Sequence, residues 1–307
     1  MVLMGDGRRL RAWLLAMAVA VVGTQALAGL GLVDLGTSIY LSPSLGWFGA
    51  IAGGLAFGFG MVLTGGCGQR TLVRLGAGNL RSIVVLMVLA VTAYMTMRGL
   101  IAAARLPLEA NINLDLRKAG LQSQGLAPLL GRPVATLVLA GALAAYCFAD
   151  ARFRRSARDL IAGVGVGLLI VAGWAITGVL GQDEFEPQPV ASFTFVAPVA
   201  DSLQYLMTFT GASIGFGVAT VGGMLVGAFV AAQASGSFRL EAFSDRADLL
   251  RHLGGAAMMG IGGVFALGCT IGQGVTGLST LAIGSLLAVA SIIAGAVGGV
   301  RYLERTL

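Results

Sequence analysis

Runs of about 20 mostly apolar residues recur along this chain, the length a helix needs to cross the hydrocarbon core of a bilayer. They fall near 12–33, 47–66, 82–104, 132–149, 160–180, 205–233, 253–268 and 278–300. The run at 205–233 has room for a span plus a short half-helix, so the expectation is about 8–9 transmembrane helices. Composition removes the soluble alternative. With 307 residues, 57% of them hydrophobic and only 11% charged, and a mean hydropathy of +0.88, the chain has too little polar surface to coat a globule. The predicted fold is an all-α polytopic membrane protein, a single transmembrane domain over 1–307 embedded in the lipid bilayer. Arg8, Arg9 and Arg11 ahead of the first run could pass for a signal peptide, but no polar mature domain follows, so that run is read as a span.

Charge sets the orientation. Arg8, Arg9 and Arg11, then Arg152, Arg154, Arg155 and Arg158, then Arg301 and Arg305 fall on one side if the spans number eight. By the positive-inside rule that side is the cytoplasm, which puts both termini there. The segment 181–202 carries Asp183, Glu184, Glu186 and Asp201 with no Lys or Arg, and parity places it outside. The net charge of +6 is thus a topology signal. The arginines sit in short loops with no aromatic interleaving, which argues against nucleic acid as a partner. Residues 108–121, LEANINLDLRKAGL, read as a short amphipathic helix on the outer surface.

A shift of 202 residues lays GMVLTGGC on GGVFALGC and matches Gly53, Gly58, Gly60, Val62, Gly66 and Cys67 to Gly255, Gly260, Gly262, Val264, Gly268 and Cys269. The shift predicts two three-helix repeats, about 12–104 and 205–307, joined by connecting spans at about 132–180. Five spans lie between the two cysteines, an odd number, so the copies enter the membrane in opposite directions. Such inverted-topology repeats characterise secondary transporters and channels, with sites near the midplane at broken helices. The residues after each cysteine are too polar and Gly-rich for lipid, and irregular backbone at that depth survives only when buried in protein or lining a wet cavity. Two short re-entrant or broken elements, with Cys67 and Cys269 at their tips, are therefore expected. Gly53, Gly58, Gly255 and Gly260 are read as packing glycines that bring helices close.

No Asp or Glu falls in any proposed span, which argues against a carboxylate proton relay or a bare cation site. Nearby charges are positive: Arg70, Arg74, Arg81 and Arg98. They favour an anion, although Arg98 could equally snorkel and the other three could equally be positive-inside anchors. A thiol is a soft, weak S–H donor, better matched to a ligand with exposed sulfur or selenium than to a hard oxyanion. Neutral thiols are expected, since a thiolate would repel an anion. The substrate-binding set is Cys67 and Cys269 as successive contacts, and Gly66, Gly68, Gly268, Gly272 and Gly274 as backbone turns. Thr270 and Gln273 serve as polar donors and Arg70 as a cation. Two thiols without a Met or His cluster make a poor soft-metal site, so neither metal nor cofactor is expected. No ATP-binding loop is present. Cys147 is read as structural and His252 as interfacial.

The segments GGCGQRTLVRLGAGNLRS (65–82) and ALGCTIGQGVTGLSTLAIGS (266–285) resemble the two signature segments of the YeeE/YedE family of sulfur-transport permeases. The resemblance implies pseudo-symmetric halves and an hourglass-like shape, with Cys67 and Cys269 on a central path. There S–H hydrogen bonds would relay thiosulfate or a related small inorganic sulfur anion into the cytoplasm. It also implies a cytoplasmic sulfur-carrier partner of the TusA type, and a permease rather than an enzyme. Residues 12–50 lack the further cysteine of thiosulfate-transporting relatives, and Gly272-Gln273-Gly274 stands where many have Gly-His-Gly, so other sulfur anions stay open. The rival readings are a membrane-embedded sulfur-transfer or redox protein using persulfides, and a permease for selenium compounds or soft metal.

Overall fold

The computed structural model describes residues 7–120, 123–182, 189–241 and 245–306. Helices dominate: α1 (Arg8–Gly29), α2 (Gly54–Leu63), α3 (Gly68–Gly76), α4 (Arg81–Met97), α5 (Leu100–Ile112), α6 (Ala127–Leu130) and α7 (Arg132–Phe148). Then follow α8 (Ala151–Arg154), α9 (Ala157–Ala175), α10 (Val196–Met207), α11 (Phe216–Ala234), α12 (Arg246–Phe265) and α13 (Ile283–Thr306). Strand is confined, among the described residues, to Ser44–Leu45 and Leu114–Asp115. The chain is an all-α polytopic membrane protein.

Five segments are long and apolar enough to cross a membrane: Arg8–Gly29, Gly49–Gly76, Ala157–Leu180, Phe216–Ala234 and Ile283–Arg305. The pair α4 and α5 passes together with a 51° bend, and Arg132–Phe148 is apolar but shorter. Residues 253–265 of the predicted run 253–268 lie in α12, with 266–268 forming the turn that ends it, and the helix starts earlier, at Arg246, and so includes Asp248, Arg251 and His252. Two expectations change. The surface helix at 108–121 does not form as such. Leu108–Ile112 is the end of α5, and Asp115 then accepts the Arg117 N–H at 3.1 Å to cap a separate 3-10 turn that closes at Gly120 with φ +77°. The run 205–233 divides at Thr208–Gly215 into the end of α10 and α11, as its length allows, but α10 begins at Val196, inside the segment 181–202 that reads from sequence as an outer loop. Asp201 therefore sits half-buried in a helix rather than in an outer loop, and Arg98, at the C-terminal cap of α4, is the cation acting on it.

The chain forms two compact units that do not follow chain order. The first takes in 7–45, 115–193 and 274–286 of the described residues. In it α1 and α9 run parallel at close approach. Gly163 lies against the Ala12 carbonyl and Gly167 against that of Ala16, where a Cβ would come within 2.8 Å of either oxygen. Such small residues let backbones meet where lipid supplies no hydrophobic drive. Its buried polar groups pair internally: Trp174 Nε1 donates to Ser279 Oγ (3.1 Å), Gln25 Nε2 to the Ser279 carbonyl (2.8 Å) and Thr276 Oγ1 to that of Phe193 (2.6 Å). Cys147 is fully buried here with Sγ 3.2 Å from the Arg11 carbonyl, in keeping with a structural role.

The second unit holds 46–114, 194–273 and 287–307, apart from the undescribed residues. At its centre α2 and α12 cross antiparallel on glycines. A Cβ on Gly53 would lie 2.6 Å from the Gly262 carbonyl, and one on Gly262 would lie 2.6 Å from that of Gly53. Gly60 and Gly255 repeat the pattern at 2.5 and 2.8 Å. The same exchange reaches the flanking helices: Gly58 packs on the α13 backbone at Ile292 and Ala296, and Gly260 on the α4 backbone at Leu89 and Ala93. The expected packing role of Gly53, Gly58, Gly255 and Gly260 is what these contacts describe.

Candidate functional site

Each of the two central helices ends in the same cap. At the end of α2 the N–H of Gly65 bonds the Val62 carbonyl at 3.1 Å and that of Gly66 bonds the Met61 carbonyl at 2.9 Å. At the end of α12 the N–H of Leu267 bonds the Val264 carbonyl at 3.1 Å and that of Gly268 bonds the Gly263 carbonyl at 2.8 Å. This is the paired bonding of a Schellman cap, which satisfies the orphan carbonyls of a helix end and needs one residue in the left-handed region. Gly65 takes that position at φ +71° and Leu267 at φ +56°. Every donor and acceptor in one cap maps onto the other by the 202-residue shift.

The residue that leaves each cap is the cysteine, and there the chain starts a new helical segment. The Cys67 carbonyl accepts the Thr71 N–H and hydroxyl, both at 3.0 Å, and the Cys269 carbonyl accepts the Gln273 N–H at 2.8 Å. Cys67 is therefore the N-cap of α3, and Cys269 stands before the π-helical turn Gly272–Gly277. Helix starts present N–H groups without intrahelical partners and a partial positive charge. The thiols differ in access: Cys67 is half-buried and Cys269 is fully enclosed. The two lie close enough to interact electrostatically. The Gly272 N–H reaches Cys269 Sγ at 3.4 Å, and the amides of Ile271 and Phe195 also face that sulfur.

The other sequence-chosen residues gather around these turns to different degrees. Gly66 lies under the stem of Arg70, whose Cδ would be 2.8 Å from a Cβ there, while the Arg70 side chain itself is exposed. Gly68 is buried against Leu89, Gly268 against Gln273 and Gly272 against Thr194. Thr270 is half-buried. Gln273, 3% exposed, donates from Nε2 to the Ala266 carbonyl at 2.6 Å, and its Oε1 has no partner among the described residues. Gly274 belongs to the first unit, where it packs under Trp13. No three His, Cys, Asp or Glu among the described residues are placed to share a metal ion.

Sequence reasoning missed Thr64, Met259 and Phe195. Thr64 Oγ1 bonds the Gly60 and Gly66 carbonyls at 3.1 and 3.0 Å and faces Met259 Sδ at 3.7 Å, bracing the first turn from the second copy's helix. A Thr directly before the Gly-Gly of a cap is a readable signal. The amide of Phe195 reaches its place only through folding and has no such signal.

Comparison with known proteins follows the same lines. The family model described as sulphur transport matches residues 1–298. The thiosulfate transporter TsuA of Escherichia coli K12 is 28% identical over 296 residues, covering 89% of this chain and 78% of that protein. The thiosulfate transporter TsuA of Spirochaeta thermophila is 26% identical over 309 residues, covering 92% of this chain and 86% of that protein. With nearly the whole chain matched and the duplicated cysteine turns in place, this protein belongs to the sulphur transport family, the YeeE/YedE permeases, and not to a family of enzymes.

Proposed function

We propose that the chain is a permease that brings thiosulfate, or a closely related small sulfur-containing anion, across the bacterial inner membrane into the cytoplasm. The observation that carries this reading is the pair of identical caps, each delivering a cysteine to the start of a helical segment, on two helices that cross antiparallel. The three-helix copies at 12–104 and 205–307 then act as the two halves of an inverted repeat, with 132–180 connecting them. Names and substrates of the similar transporters support the substrate class.

The chemistry follows from the donors present. An uncharged thiol donates one weak S–H bond to the soft sulfur or an oxygen of the anion, and the amides at each helix start supply partial positive charge without a fixed cation. Conduction needs contacts strong enough to admit the ion and weak enough to release it. Thiols and backbone amides meet that condition better than a buried arginine, which would hold a dianion tightly. Cys269, at the end of α12 that the predicted topology turns outward, takes the anion first, and Cys67, at the cytoplasmic end of α2 and the more accessible of the two thiols, receives it next. Gly66, Gly68, Gly268 and Gly272 keep side chains away from the path, while Thr270 and Gln273 line the second turn and Arg70 adds positive potential at the first. Since Cys269 is enclosed, transfer requires the 267–273 turn to move.

Purified protein in proteoliposomes tests the proposal by uptake of labelled thiosulfate, with sulfate, sulfite and selenite as competitors. Cys67→Ala and Cys269→Ala are each expected to reduce uptake to background while the protein still inserts and purifies. Uptake that persists in both variants removes the relay. A covalent sulfur adduct on either cysteine without net flux would instead favour a persulfide carrier.

A further inference from the structure

We infer that a cavity beside the first turn is a second binding station for a small sulfur oxyanion, made by arginine rather than by thiols. The inference rests on the permease reading and adds a site to it. A cavity of about 590 Å³ lies in the second unit among the ends of α2, α3, α4 and α12, and its wall runs from Val62 to Gly65, ending immediately before Gly66 and Cys67 on this stretch of chain. Arg74, Arg81, Arg239 and Arg251 line it against Glu241 and Asp248.

The two carboxylates are already engaged. Asp248 holds Arg251 at 2.5 Å and Arg81 at 3.1 Å, with His252 Nδ1 at 3.3 Å, and Glu241 accepts from Asn79 Nδ2 at 2.6 Å. Arg74 and Arg239 have no carboxylate within ion-pair distance among the described residues. The Arg74 guanidinium lies over Gly65, with Nη1 3.4 Å from where a Cβ would stand, so the glycine leaves the fork open to the cavity. Four guanidiniums against two carboxylates, with Glu241 acting on Arg74 only from beyond ion-pair distance, leave this concave polar wall with a net positive potential and a planar fork that suits an oxyanion.

The cavity exceeds the volume of a tetrahedral anion several-fold, so the ion enters with water around it. A hydrated ion held by charge rather than by close fit leaves quickly, which suits a waiting place next to a transfer path. In the proposed orientation this end faces the cytoplasm, and the station receives the anion after the thiols release it. A phosphate headgroup from a lipid shares the same chemistry and is the competing source.

The test uses the full chain with Cys67→Ser and Cys269→Ser in phosphatidylcholine nanodiscs, measuring equilibrium binding of labelled thiosulfate and of labelled sulfate. The expected result is one saturable site per chain that binds both ions. Arg74→Gln or Arg239→Gln should weaken it about tenfold, the loss of one charge-assisted hydrogen bond, and Arg74→Lys should recover part of the loss. Arg158→Gln, in the first unit, should leave it unchanged. Absence of a saturable site, or equal affinity in Arg74→Gln and Arg239→Gln, overturns the inference. So does loss of binding in phosphatidylglycerol nanodiscs, which would assign the cavity to lipid. Thiosulfate uptake by the unaltered protein separates the two claims: uptake without this site refutes the station alone, and a site without uptake refutes the permease reading.

Discussion

At the scale of single residues, Gly65 and Leu267 show what a duplicated turn demands. Both occupy the left-handed region, but Leu267 carries a Cβ there, which costs about 1 kcal/mol or somewhat more. Its side chain is 44% exposed, so removing it leaves no cavity. Leu267→Gly should therefore raise the thermal unfolding midpoint in detergent by about 2 °C, and Gly65→Ala should lower it by a similar amount. Unchanged midpoints in both would mean the caps carry no strain. The cysteines were legible in the sequence because a rare residue recurred at a fixed shift. The orphan Oε1 of Gln273 and the amide of Phe195 facing Cys269 were not, since both depend on where distant backbone comes to rest.

At the scale of elements, the glycine crossing of α2 and α12 is a backbone-to-backbone contact, and neither partner can give way as a flexible side chain would. Gly262→Ala would place a Cβ 2.6 Å from the Gly53 carbonyl, and overpacking of this kind costs about 1–3 kcal/mol. A clear drop in unfolding midpoint and in folded yield is expected. Gly227→Ala in α11, with no other atom within 4 Å of its new methyl, serves as the control and should be neutral or slightly stabilising. Equal behaviour of the two variants would show that the crossing is not tight. Apolar length located α1, α9, α11 and α13 well. It misjudged the starts of α10 and α12, where Asp201 and Asp248 lie inside helices, because a hydropathy window sees a charge but not the arginine that accompanies it.

At the scale of the whole molecule, the arginine clusters predict which loops face the cytoplasm. In a background lacking Cys67, Cys147 and Cys269, single cysteines at Lys118 and Gln182 should react with a membrane-impermeant maleimide in intact cells whose outer barrier is opened. Those at Arg155 and Ser235 should react only after lysis, and the reverse pattern would invert the import direction. The sequence by itself determined the membrane class, the approximate spans and the duplicated turn, and it predicts an opposed direction for the copies. Each of these rests on local composition, or on a residue pattern that repeats whatever the chain does in space. The tertiary structure alone decided which glycines meet, how far each thiol is enclosed, and which arginines keep a carboxylate. Those outcomes join residues far apart in sequence, such as Gly60 with Gly255 and Arg81 with Asp248, and no local pattern encodes which distant partner a side chain will find.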